Sequence, residues 1–161
     1  MRPCRSLCLI LLPLGLLAAK PEPPKVVAVQ TGRQYQDYYG TAVTRSAALL
    51  KAPDKTYRWG ITNLKPQEMA VFGGTMVTDA KHAHHFRATL YADPGIKAPL
   101  EFAFREKDRN GAVLASCTLN PGQTLPVDID LNGVTRLFFA TELKLQHDKA
   151  IRIILGEPTF E

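Results

Sequence analysis

The sequence predicts an all-β domain, an antiparallel β-sandwich, and three observations carry that expectation. Short apolar segments alternate with polar residues at a period of two through most of the chain, as half-buried strands do. Turn signals rich in Gly, Pro, Asn and Asp recur roughly every 8 to 12 residues. The stretch Leu100 to Leu131 holds three such segments in a row, and no amphipathic helix of useful length follows to cover the face they bury. A second sheet is therefore the expected partner.

The first residues fall outside this pattern. In MRPCRSLCLILLPLGLLAA, Arg2 and Arg5 precede an apolar run from Leu7 to Leu17 and then small Ala18 and Ala19. This is the layout of a secretory signal peptide over residues 1–19. A retained membrane anchor is the competing reading, but the run is shorter than the roughly 20 residues a spanning helix needs. Residues 20–25, KPEPPK, are expected to be a flexible leader because three prolines deny them ladder hydrogen bonds. Residues 26–161 are then one domain, secreted or periplasmic, with no membrane association after cleavage.

Val26, Val27 and Val29 begin the ordered chain. Gln34 to Tyr39, with Tyr35, Tyr38 and Tyr39, reads either as a short loop or as an edge strand. Thr41 to Leu50 reads as a strand and then a loop, although Ala47 to Leu50 have the composition of a helical turn. Thr56 to Leu64 alternates with Tyr57, Trp59 and Ile61 on one phase. Met69 to Thr78 is a strand in which Gly73-Gly74 marks a bulge or a close backbone approach. Phe86 to Tyr91 is the next, closed by Asp93-Pro94-Gly95.

In the central stretch Leu100, Phe102 and Phe104 share the buried phase, and Asp108-Arg109-Asn110-Gly111 turns the chain. Val113, Ala115 and Cys117 continue on a second strand. Asn120-Pro121-Gly122 breaks it, and Leu125, Val127, Ile129 and Leu131 alternate with Pro126, Asp128 and Asp130 on a third. These three are expected to form an antiparallel meander. Val134 to Thr141 and Ile151 to Leu155 complete the strands.

Charge and cysteine content exclude several functions. The formal net charge is +5, and removing Arg2 and Arg5 leaves 18 basic against 15 acidic side chains, or +3. The basic residues are dispersed, so no nucleic-acid footprint is expected. Of three cysteines, Cys4 and Cys8 lie in the signal, which leaves Cys117 alone and rules out an intramolecular disulfide in the mature chain. On a buried strand phase it reads as a small hydrophobe, not a nucleophile.

The order of the segments resembles the novel putative carbohydrate-binding module, or NPCBM, family. Phe72, Gly74 and Asp79 stand in a strand of the form F-x-G-x-x-x-x-D. Asn110, Gly111 and Leu114 stand in a hairpin of the form D/N-G-x-x-L, and Pro126 to Leu137 follow the family's P-V-x-V-D-V-x-G-V-x-x-L strand pair. The resemblance implies a galactose-binding-like jelly roll and a non-catalytic, carbohydrate-binding role, with cell-wall or extracellular glycans as ligands. The chain departs from the family at its end, where His147-Asp148 is followed by no tryptophan. That departure keeps a second reading open, in which the domain has lost its sugar site and meets another exported protein, with Tyr38 and Tyr39 as the surface.

Candidate side chains follow from loops, where such scaffolds place function. Asp79, His84, Tyr91, Asp108 and Asn110 lie in or beside connections and offer hydrogen bonds or a stacking face for a sugar. His82, His84 and His85 are metal-ligand residue types, but a zinc site needs three or four ligands and His147 is remote in sequence, so neither a metal nor another cofactor is expected. Asp128 and Asp130 share a wet face without a cleft, and no catalytic pair stands out. Trp59 shares the phase of Tyr57 and Ile61 and is assigned to the core.

Overall fold

The computed structural model describes residues 27–28, 35–38, 40–64, 71–78, 83–143 and 151–161. The proposed signal and leader, residues 65–70 and the loop holding His147 and Asp148 lie outside them, as do Tyr39, Asp79 and His82.

Eleven strands are present among the described residues, and no helix. They are β1 (Val27–Ala28), β2 (Tyr35–Tyr38), β3 (Thr41–Thr44), β4 (Gly60–Asn63), β5 (Val71–Val77), β6 (His85–Ala92), β7 (Leu100–Glu106), β8 (Val113–Leu119), β9 (Thr124–Asp130), β10 (Arg136–Glu142) and β11 (Ile153–Phe160). One sheet runs β3-β4-β11-β6-β9, with β1 also on β11, and the other runs β2-β5-β10-β7-β8. All pairings are antiparallel. The expected all-β sandwich of jelly-roll type is thus what the chain forms.

The two inner faces meet in one apolar core. Phe72, Phe102, Phe104 and Phe139 come from one sheet and Phe86, Leu90, Ile129 and Leu155 from the other, all buried. The rings contact at 5.8 Å for Phe72–Phe139 and 6.1 Å for Phe86–Phe104, in tilted arrangements. Tilted ring pairs add to the area term. Gly73 and Gly74 pair with Ala140 and Phe139 in unbroken register, so they make a close approach and not a bulge. A Cβ at Gly74 would stand 2.7 Å from Tyr35 Cζ, which lets the β2 tyrosine lie flat on the sheet.

Three expectations are corrected. The meander ends after two strands: β8 pairs with β7, but β9 crosses to the other sheet and pairs with β6 over Tyr91↔Thr124 to His85↔Asp130. Alternation reports which face of a strand is buried and is silent about its neighbour. Val113 is 52% exposed because a bulge opposite Phe104/Arg105 flips the phase at Leu114. Leu114, Ala115 and Cys117 still pack on the core. The Thr56 to Leu64 segment is a strand only from Gly60. Before it, residues 45–59 fold over the outer face of the β11 sheet, where Leu50, Ala52 and Tyr57 cover Tyr91 and Ile154 in a second apolar cluster. Tyr57 and Ile61 therefore lie on opposite sides of that sheet. Trp59 is half-buried against the main core, as its assignment requires.

Gly156 makes the second cluster possible, since a Cβ there would fall within 2.7 Å of Tyr57 Cγ. Glu157, at φ 50°, then lifts β11 into a bulge that accommodates Pro158, and the strand resumes to Phe160. Glu157 receives Arg58 at 3.2 Å and Lys55 at 3.6 Å, pinning the overlying segment.

Candidate ligand-binding site

Antiparallel strands send successive connections to alternate ends of the sandwich. The registers Val77↔Arg136, Leu137↔Glu106 and His85↔Asp130 put the β7–β8 turn, the β9–β10 turn and the chain end Glu161 at one end. The β6–β7 connection, the β8–β9 turn and the starts of β7 and β11 lie at the other. That second end carries a concavity.

A pocket of about 350 Å³ lies between residues 95–101, the end of β10 at Glu142 and Leu143, and Ile151. Its wall is built by a turn. Asp93 Oδ1 accepts the Gly95 N–H at 2.7 Å and the Asp93 carbonyl accepts Ile96 N–H at 3.1 Å, an Asx-stabilised turn. Asp93 N–H donates to the Arg152 carbonyl at 2.8 Å, tying the turn to the start of β11. Ile96 is buried in the core beneath it. Lys97 and Pro99 stand at the exposed rim. The wall is held from both sides before any ligand arrives.

The floor is apolar, from Ile96, Leu100, Leu143 and Ile151, and the polar groups are Lys97, Glu101 and Glu142. Glu101 accepts the Thr118 hydroxyl on both carboxylate oxygens, at 2.9 and 3.1 Å, which fixes its orientation across β7 and β8. Two carboxylates supply acceptors and one ammonium supplies donors, the complement a polyhydroxylated ligand with an apolar face needs. Among the described residues there is no group of three or more His, Cys, Asp or Glu that could hold a metal.

The side chains expected from the sequence fall elsewhere. Tyr91 is a correction: it is 4% exposed, sealed under residues 45–59, and offers no stacking face. Burial, with the charges of Asp93 and Asp54, holds its phenol above the usual range. His84 is exposed at the end opposite the pocket, its N–H donating to the Glu161 carbonyl and its own carbonyl accepting Leu131 N–H at 2.8 Å. Asp108 and Asn110 are exposed at that same end, where Asp108 Oδ1 accepts the Asn110 N–H at 2.9 Å within the β7–β8 turn. His84, Asp108 and Asn110 share an end of the fold with no hydrogen bond joining His84 to the other two. Asp79 lies outside the described residues.

Lys97, Glu101 and Glu142 went unnoticed in the sequence. Glu101 and Glu142 look like ordinary polar residues at strand ends and Lys97 like an ordinary loop lysine, and only the folding of three distant segments to one end makes a concavity of them.

Two other polar groupings prove structural. On the outer face of β6 and β9, Asp128 receives Arg87 at 3.0 Å and His85 at 3.3 Å, while Arg87 also pairs with Glu161. The Arg87 hydrogen bond holds the Asp128 carboxyl below its ordinary range. Asp130 accepts the Asn132 N–H at 3.1 Å in a turn. Both aspartates are exposed on an open face, as expected. Cys117 is half-buried, and desolvation with the Glu101 charge pushes its thiol up, away from the thiolate a nucleophile needs.

No family model matches the chain, and no curated protein matches it. Solved structures do, at the level of fold. The CBM51 of a Clostridium perfringens GH95 protein, in complex with methyl-galactose, is 13% identical with a TM-score of 0.55, covering 85% of this chain and 100% of that one. The K1 cleaved adhesin domain of Lys-gingipain from Porphyromonas gingivalis W83 is 10% identical with a TM-score of 0.57, covering 85% and 96%. A structure of the M60 catalytic domain with two CBM51 domains from Clostridium perfringens ZmpB gives 10% identity and a TM-score of 0.56. There the chain covers 15% of the matched protein's length. The chain thus shares its sandwich fold with CBM51 domains and with this adhesin domain.

Proposed function

We propose that this chain is an exported, non-catalytic carbohydrate-binding domain, distantly akin to the NPCBM family, that takes one sugar residue of an extracellular or cell-wall glycan in the pocket beside Glu101 and Glu142. The observation that carries the reading is the match in fold along 100% of a CBM51 domain in complex with methyl-galactose. The pocket supports it: its volume suits a monosaccharide, its wall is preformed, and its polar groups are acceptors and donors spaced around an apolar floor. Export rests on Arg2, Arg5 and the apolar run before Ala19. N-terminal sequencing of the secreted or periplasmic protein checks it, with a start near Lys20 expected.

A glycan array with a pull-down on insoluble polysaccharides tests the binding. Glu142→Ala and Glu101→Gln should each weaken capture by about tenfold, the loss of one charge-assisted hydrogen bond. His84→Ala and Asp108→Ala, at the opposite end, should leave it unchanged. If the second pair abolishes capture instead, the site lies among the residues first expected from the sequence and the pocket assignment is wrong. Silence of the folded protein on every glycan favours the second reading, a protein-contacting domain, which the likeness to an adhesin domain supports.

A further inference from the structure

Two seven-residue strands, β8 and β9, form the sheet edges on one side of the sandwich, and they are built differently. β9 carries exposed Pro126, Asp128 and Asp130, the proline and charges that protect an edge from pairing. β8, Val-Leu-Ala-Ser-Cys-Thr-Leu, holds no proline and no charged residue. Its bulge against β7 lies at its first residues, which leaves Ala115 to Leu119 in regular register. Among the described residues no hydrogen bond engages the backbone of β8 on the side away from β7. Leu114, Ala115 and Cys117 reach the core only in part and remain half-covered.

We propose that β8 is the docking edge for a second copy of this chain, the two strands pairing antiparallel about a twofold axis near Ser116 and Cys117. The edge is self-complementary. Such pairing sets inward Ala115, Cys117 and Leu119 against the same residues of the copy and sets Ser116 and Thr118 together on the outer face. No charge then opposes a like charge across the axis. The half-covered core positions gain a neighbour, and the two five-stranded sheets become one. A single strand pair buries less than about 1,200 Å², so the dimer is a weak, concentration-dependent one. Antiparallel pairing leaves the pockets of the two copies at opposite ends, which suits bridging of two ligands over gripping one twice. The inference stands apart from the sugar reading, because the edge contains none of the pocket residues.

Sedimentation velocity of the mature chain, from roughly 1 to 500 µM, tests it in the range expected of a small interface. The wild type should move from monomer towards dimer across that range. Ser116 is exposed, so Ser116→Lys and Ser116→Glu should fold, and each places two like charges within about 8 Å across the axis. Each alone should weaken association at least tenfold, and an equimolar mixture of the two should restore it. Thermal melts identify a variant that folds poorly, and the other variant then carries the comparison with the wild type. A wild type that stays monomeric throughout, a folded variant that associates like the wild type, or a mixture that fails to recover would each overturn the proposal.

Discussion

Tyr57→Phe should make the protein resistant to alkali. The Tyr57 ring is 1% exposed, lying on Gly156 beneath residues 45–59, with Lys55 Nζ 4.3 Å from its centroid. Its hydroxyl is buried without a well-formed hydrogen bond. Burial pushes the phenol up to about 12, the charges of Asp54 and Glu157 add to the shift, and the nearby Thr124 hydroxyl works the other way. The sign then follows. Between about pH 10, where the unfolded phenol ionises, and pH 12, the unfolded chain loses a proton that the folded chain keeps, so stability falls as pH rises. Raising the phenol from 10 to about 12 costs about 1.4 kcal/mol by pH 11 and about 2 to 3 kcal/mol by pH 13. Phenylalanine has no such proton. Urea denaturation of wild type and Tyr57→Phe at pH 8 should agree within about 1 kcal/mol, the variant if anything the more stable because a buried unpaired hydroxyl is gone. By pH 11 the gap should have widened by about 1.4 kcal/mol in the variant's favour. Other titrating groups, Tyr91 included, are common to both proteins and cancel. A gap that stays flat from pH 8 to 11 would mean that the hydroxyl reaches water and that residues 45–59 do not seal the outer face.

Gly156→Ala should destabilise by about 1 to 3 kcal/mol in urea, because the new Cβ collides with the Tyr57 ring; an effect below about 0.5 kcal/mol would say that the ring is free to move. Gly156→Ala combined with Tyr57→Ala should cost less than the two single changes added, which a double-mutant cycle measures. Phe102→Ala, 1% exposed between Phe72 and the core of the opposite sheet, should cost about 3 to 5 kcal/mol by the same denaturation assay. Val113→Ser should stay within about 0.5 kcal/mol, since the bulge has turned this residue to solvent.

The architecture was largely legible because a sandwich writes itself into local pattern. Leu100, Phe102 and Phe104 alternate with exposed or half-buried Glu101, Ala103 and Arg105 as read, and Val127, Ile129 and Leu131 do the same. What periodicity cannot carry is pairing. The turn at residues 120–123 looks like a hairpin turn yet passes the chain between sheets: β9 pairs with β6, and among the described residues no strand lies beyond β8. Periodicity also misleads wherever geometry breaks phase. Leu114 is the extra residue at the bulge, and the three residues between Tyr57 and Ile61 leave the outer face and enter the sheet, so equal parity no longer means equal side.

The site was less legible, for a reason that parity makes plain. In an antiparallel sandwich a connection's end is set by counting strands, and His84, before β6, and Asp108 and Asn110, after β7, necessarily share one. Hydrogen-bonding capacity in a loop residue carries no information about the shape of the end it lies at. The β7–β8 turn there is tight: three backbone hydrogen bonds close Glu106 to Ala112, and the Asp108 carboxylate is spent on the Asn110 N–H. At the other end the β6–β7 connection takes seven residues, long enough for Asp93 to close one turn while Lys97 to Pro99 stand away from the sheet. The longer connection leaves space beside the end of β10, with the Glu101 carboxylate oriented by Thr118 at its edge. Tyr91 failed for the opposite reason. A position near a strand end favours exposure, but Leu50, Ala52 and Tyr57 of residues 45–59 cover that face, and the alternation from Thr56 onward gives no sign of it.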